Sequence, residues 1–143
     1  MSDAARRILL AILILGIAGI AVELWLLAHT EDFYQLIPLW LAALGVIAVA
    51  TVVLRPSTAT LRLFQAVMVL FLLSGIVGMF LHFQVNMEFQ REMDPALSGM
   101  ALFRKAILAK TPPALAPGAM IQLGLIGLAY TFRHPALAPG RTA

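Results

Sequence analysis

The stretch LHFQVNMEFQREMDP, residues 81–95, places polar side chains that could bind a ligand at the end of a long apolar run. Histidine nitrogens and carboxylate oxygens are among the ligand types of zinc, copper and iron. His82 and Glu88 lie in this stretch, and Glu23 and His29 lie at the end of an earlier apolar run. These four residues are the predicted ligand set of a metal ion or haem. No H-x3-H or H-E-x-x-H motif joins them, so separate hydrogen-bonding roles stay open as the alternative.

Glu23 is the only charged residue within the first apolar run. An ionisable group inside a membrane helix is costly, and it is therefore a candidate functional residue. We expect Glu23 to face the bundle interior or a partner chain, with His82 or Asn86 as its polar neighbour. The alternative is that its side chain snorkels to the membrane surface. If a metal joins His29 and His82, their imidazoles must lie within roughly 4–5 Å of each other.

Uncharged polar residues and small residues inside the apolar runs are predicted to serve helix packing. Polar side chains form hydrogen bonds between membrane helices, and small residues allow the backbones to approach closely. They serve packing either within this chain or against another protein. The residues assigned to this interaction role are Gln65, Ser74, Gly78, Gln122, Gly124 and Gly127.

Long apolar segments must position all of these residues. The chain has 143 residues, of which 62% are hydrophobic and only 12% charged. A helix needs about 20 apolar residues to cross a membrane, and backbone groups in lipid must bond within their own segment. The fold class is therefore all-α, a single four-helix transmembrane bundle over residues 1–143. The predicted spans are 8–28, 36–54, 61–82 and 114–132.

The connections between the spans also carry structural signals. Pro56 is expected to end the second helix, and Ser57 or Thr58 to cap the third. An extramembrane helical segment, 83–113, separates the third span from the fourth. We expect the third helix to continue to Met93 and so to project two or three turns beyond the membrane. A further helix is predicted from Pro95 to about Lys110, lying on the outer membrane surface or packed on the bundle end.

The orientation follows from the distribution of basic residues, because cytoplasmic loops carry an excess of Lys and Arg. With the N-terminus inside, both termini are cytoplasmic, and Asp3 is the only acid on that side. We therefore expect a multi-pass protein of the cell (inner) membrane. No basic run exceeds two residues, which excludes nucleic acid as a partner. The basic residues on the cytoplasmic side are Arg6, Arg7, Arg55, Arg62, Arg133 and Arg141.

Three functional hypotheses from different classes follow. The first is a non-catalytic accessory or structural subunit of a larger membrane complex, whose partners are membrane lipid and other membrane subunits or a second copy. The second is a metal- or haem-binding membrane protein. The third is a small transporter or proton-linked channel that uses Glu23. No motif indicates an enzyme, and the absence of cysteine excludes disulfides, thiolate metal sites and cysteine nucleophiles.

Overall fold

The computed structural model describes residues 1–28, 30–109 and 115–138, and all regular structure in these ranges is helical. This confirms the all-α prediction. A short 3-10 turn, Pro135–Leu137, follows the last helix. The five α-helices are α1 (Asp3–Leu26), α2 (Phe33–Leu54), α3 (Thr58–Met93), α4 (Gly99–Ile107) and α5 (Leu115–Thr131).

Three of these helices, α1, α2 and α3, are long and apolar enough to cross a membrane, and they indicate a membrane protein. The fourth predicted span corresponds to α5, which has 17 residues and is also apolar. At 1.5 Å per residue α5 is about 25 Å long, somewhat less than the hydrocarbon core of about 30 Å. The fourth span therefore stays a prediction.

The turn between α2 and α3 is formed by the expected residues. The helix α2 ends at Leu54, two residues before Pro56. Ser57 caps α3, and its hydroxyl accepts a hydrogen bond of 3.2 Å from the backbone N–H of Thr60. The Thr60 hydroxyl accepts one of 2.9 Å from the backbone N–H of Ser57. This reciprocal pair satisfies two backbone donors that a helix start otherwise leaves unpaired.

The helix α3 continues to Met93 as predicted, but the helix expected to begin at Pro95 does not. The Asp94 carboxylate accepts a hydrogen bond from the backbone N–H of Ala96 and so closes a turn. The next helix, α4, begins only at Gly99, whose φ is +57°. This left-handed conformation, which glycine adopts without steric cost, is incompatible with a continuous helix through that position.

The four longer helices form a closed ring. The helix α1 packs on α2 and α5, and α3 also packs on α2 and α5, while α4 packs on α3. In lipid, helices associate through van der Waals packing and hydrogen bonds rather than through the hydrophobic effect. Close fit in the core therefore matters most. Its most deeply buried large side chains are Phe64, Phe71, Leu13, Ile17, Leu61, Met68 and Val52.

Candidate functional site

Glu23 lies on α1, three residues before the end of that helix at Leu26, and its side chain is exposed. The buried stripe of α1 includes Ile20 and Leu24 near this end. Successive residues are separated by about 100° around a helix, so the burial of Leu24 turns Glu23 away from the core. Glu23 makes no side-chain hydrogen bond or ion pair with any residue that the structure describes. It does not face the interior of the bundle.

The other predicted metal ligands do not form a cluster in the described part of the chain. His82 is partly exposed and Glu88 is exposed on α3. His29 lies outside the described residues, so the predicted approach of the two imidazoles stays untested. Within residues 1–28, 30–109 and 115–138, no group of three or more histidine or acidic side chains could hold a metal ion.

The last part of α3, residues 83–93, forms a two-helix cap with α4. We call these residues the α3 projection. The side chain of Asn86 donates a hydrogen bond of 3.1 Å to the carbonyl of Ala106. The rings of Phe83 and Phe103 meet edge to face, with 5.5 Å between their centroids. Leu102 and Ala106 are buried at this contact, so α4 covers one face of the projection.

Three apolar residues of the α3 projection are largely exposed. Val85, Phe89 and Met93 are spaced four residues apart, which places them on one face of the helix. Their side chains are 62%, 56% and 71% exposed, respectively. We call these three residues the apolar stripe. Exposed apolar residues arranged along one face are typical of an interaction surface.

A shallow groove of about 560 Å³ lies beside α4. Two of the residues that line it, Arg104 and Lys105, are basic, and none is acidic. The ammonium group of Lys105 lies 4.0 Å from the Asp94 carboxylate, in an exposed ion pair that contributes little stability. The groove therefore carries positive charge that could attract an anionic group, but its lining residues do not form a recognisable catalytic site. The residues along it are Gln90, Ala101, Arg104, Lys105, Leu108 and Ala109.

The two glutamines of the apolar runs, Gln65 and Gln122, occupy different environments. The Gln65 side chain on α3 donates a hydrogen bond of 2.9 Å to the hydroxyl of Thr131 on α5. That hydroxyl donates in turn to the carbonyl of Leu128, at 2.8 Å. Gln122 on α5 is exposed, and its side chain makes no hydrogen bond with a described residue. Gln65 thus links two helices of this chain, whereas Gln122 is presented to its exterior.

The predicted small residues lie mainly at the contact between α3 and α5. A Cβ atom at Gly124 would lie 2.6 Å from the carbonyl oxygen of Met68, and one at Gly75 would lie 2.5 Å from that of Pro117. Gly127 faces the Met68 side chain. Sequence reasoning missed Gly75, although its spacing of three from the next glycine was visible. Of the predicted pair on α3, Gly78 also faces α5, because a Cβ atom there would lie 3.4 Å from the Pro117 ring. Ser74 is partly exposed.

At the opposite end of the bundle, Arg6 holds the start of α1 to the chain that follows α5. Its side chain is only 10% exposed. One terminal nitrogen donates to the Asp3 carboxylate at 3.1 Å, and the other donates to the carbonyl of Arg133 at 2.8 Å. Its buried Nε has no hydrogen-bond partner in the described part of the chain. Sequence reasoning used Arg6 only as a topological signal and missed this structural role.

His134 lies beside Arg6 and begins the 3-10 turn. Its Nδ1 accepts a hydrogen bond of 3.2 Å from the backbone N–H of Ala136, whose carbonyl accepts one of 2.7 Å from the Thr58 hydroxyl on α3. Burial lowers the pKa of His134, the nearby Arg6 guanidinium lowers it further, and the Asp3 carboxylate opposes this shift. The neutral imidazole is therefore favoured, as its role as an acceptor requires.

No protein-family model matches the chain, and neither the curated proteins nor the solved structures include a significant match to it. Its function is therefore inferred from the exposed surfaces and polar contacts described above.

Proposed function

We propose that this chain is a small, non-catalytic integral membrane protein that acts as an accessory or structural subunit of a larger membrane complex. The observation that carries this proposal is the exposed apolar stripe on the α3 projection. The neighbouring face of the same helix is covered by α4, yet Val85, Phe89 and Met93 remain uncovered. A surface of this kind fits an apolar surface on another protein chain.

The length of α3 supports a protein partner rather than lipid. With 36 residues it is about 54 Å long, whereas the hydrocarbon core is about 30 Å thick and the whole bilayer about 40–45 Å. If hydrocarbon covers residues 61–82, Phe89 and Met93 lie about 10 and 16 Å above His82. The headgroup layer accounts for only about 5–8 Å of that height. Full burial of a fully exposed side chain of this size contributes about 1.5–3 kcal/mol, and these side chains, which are more than half exposed, would gain more than half of that amount against a partner.

The topology within this proposal has four spans, α1, α2, α3 and α5, and both termini are cytoplasmic in the cell membrane. The packing of α5 between α1 and α3 supports its insertion beside them. A cysteine at Ser98, but not one at Ser57, should react with an impermeant maleimide in intact cells. The chain has no native cysteine to compete for the label. The reverse pattern would invert the orientation.

Affinity purification from native membranes tests the proposed function. The double variant Phe89→Ser and Met93→Ser should lose a protein that co-purifies with the wild-type chain, as measured by quantitative mass spectrometry. Leu108→Ser is the matched control, because it removes a similarly exposed apolar side chain directly after the end of α4. Circular dichroism verifies that each variant is folded. The proposal fails if no other chain co-purifies, or if the stripe variant retains the partner as well as the control does.

The two alternatives are not favoured by a specific observation. A metal or haem site needs ligands beyond those that the described residues bring together. Elemental analysis and an absorption spectrum of the purified protein would detect such a group. A transport role needs Glu23 to face a pathway, whereas its side chain lies on the exterior of this chain. A pathway between copies of the chain would be detected as proton flux in proteoliposomes.

A further inference from the structure

We propose that a second copy of this chain docks on the exposed face of α5, where the Gln122 amides of the two copies pair across a two-fold axis. The inference rests on the part of the proposed function that places α5 within the membrane. It concerns a different surface from the apolar stripe, and it requires no other protein. We call the docking face the α5 seam, and its residues are Leu115, Gly118, Gln122, Leu125 and Ala129.

The spacing of the seam alternates between three and four residues, which keeps all five positions in one narrow stripe along the helix. This spacing is typical of the contact line between two packed helices. Leu115 and Leu125 are 68% and 52% exposed, and Gln122 and Ala129 are also exposed. A Cβ atom at Gly118 would have no neighbour within 4 Å among the residues that the structure describes. None of the described residues therefore covers this face of the helix.

Gln122 is the residue that makes lipid an unfavourable neighbour for this face. It is the eighth of the 17 residues of α5, about 10 Å from one end of the helix and 13 Å from the other. At that depth a side-chain amide is too far from either membrane surface to be hydrated there. An amide in an apolar medium without a hydrogen bond is strongly disfavoured. No described residue of this chain bonds to it, and an amide on a partner chain would supply the missing hydrogen bond.

A second copy supplies the required chemistry at the required depth. A primary amide carries both donors and an acceptor, so two identical amides can form a reciprocal pair of hydrogen bonds. Copies inserted in the same orientation are related by a two-fold axis along the membrane normal. Such an axis places each residue opposite its own counterpart. The small residues Gly118 and Ala129 allow the two helices to approach closely.

Gln65, the other intramembrane amide, does not compete for this role. Its side chain is already bonded to Thr131 within the same chain. The glycines Gly124 and Gly127 are also unavailable, because they pack against α3 on the other side of α5. The α5 seam is thus the face of α5 that does not pack against α3 within one copy of the chain.

Disulfide cross-linking in native membranes tests the inference directly, since the chain contains no cysteine. Leu125→Cys, on the seam, should form a disulfide-linked homodimer under mild oxidation. Val46→Cys is the matched control, because it replaces a similarly exposed apolar residue on α2. We expect the yield of dimer at position 125 to exceed the control yield several-fold. Equal yields at the two positions would overturn the inference.

Substitution of Gln122 in the Leu125→Cys background tests the amide pair. Gln122→Leu should reduce the dimer yield about three- to tenfold, given the strengths measured for hydrogen bonds between membrane helices. Gln122→Asn, which keeps an amide, should retain more dimer than the leucine variant. Equal dimer yields in the wild type and the leucine variant would refute the pairing. A cross-link from position 125 to a different protein, identified by mass, would assign the seam to another subunit and also refute the inference.

Two further measurements separate this inference from the proposed function. The stripe variant Phe89→Ser and Met93→Ser should leave the cross-link at position 125 unchanged. If that cross-link forms but no other protein co-purifies with the chain, only the accessory-subunit proposal fails. Labelling of Leu125→Cys by a water-soluble maleimide in intact membranes would show that α5 is not inserted. That result would remove the four-span topology and the seam together.

Discussion

Replacing Gly124 with alanine is expected to destabilise the bundle because the added methyl group would meet backbone atoms of α3. The new Cβ would lie 2.6 Å from the Met68 carbonyl oxygen and 3.0 Å from the Leu72 backbone nitrogen. A flexible side chain could rotate away from such a contact, but two backbone atoms of a packed helix cannot. The helices α3 and α5 must therefore move apart.

The size of this effect follows from the required displacement. Ordinary van der Waals contact begins at 3.4 Å, so the shortest contact must lengthen by about 0.8 Å. A gap of about 0.5–1 Å forfeits a quarter to a half of the attraction for each atom pair that separates. Overpacking of this kind typically costs about 1–3 kcal/mol. The higher helix propensity of alanine returns about 0.5–1 kcal/mol, so we expect a net loss of up to about 2.5 kcal/mol.

Reversible unfolding in mixed micelles, followed by circular dichroism during titration with dodecyl sulfate, measures this loss. Gly19→Ala is the matched control, because a Cβ at Gly19 would have no described residue as a neighbour within 4 Å. The control should leave the free energy of unfolding unchanged or raise it by up to about 1 kcal/mol. If Gly124→Ala proves as stable as Gly19→Ala, the close approach of α3 and α5 is not a determinant of stability.

Three further predictions use the same unfolding assay. Arg6→Met should lower the free energy of unfolding by about 1.5–3 kcal/mol, because it removes a buried charged hydrogen bond. Asp3→Asn should change the free energy of unfolding little, since that carboxylate is solvated. Similar losses in both variants would contradict this prediction. Gln65→Leu should cost about 0.5–1.5 kcal/mol through loss of its interhelical hydrogen bond, and an unchanged stability would mean that this bond contributes nothing. Because the pKa of His134 lies below its ordinary value of 6.5, the unfolded state binds protons more readily than the folded state. Stability should therefore be full above pH 6.5 and should fall as the pH drops through the folded pKa, and His134→Gln should flatten this dependence.

The sequence alone determined the helical architecture, because local signals decide it. The three long apolar runs required helices, since lipid offers no hydrogen bonds to an exposed backbone. Pro56 and Ser57 marked the turn between α2 and α3, and the unbroken helical pattern up to Met93 predicted the length of α3. Each of these features depends on residues within a few turns of one another. The predicted start of α4 at Pro95 was wrong. The positive φ of Gly99 determines where α4 begins, and the preference of Asp94 for a helix-capping position did not reveal this conformation.

The orientation of each helix about its own axis was decided by the tertiary structure. A water-soluble helix marks its buried face with apolar residues, whereas a helix in lipid can be apolar on every side. Polarity therefore did not distinguish Gln65, which bonds inside the chain, from Gln122, which faces outward. It also did not predict that Glu23 would be exposed or that Gly75 would meet α5. These outcomes depend on which side chains fit together across helices distant in sequence, and that fit exists only once the bundle has assembled.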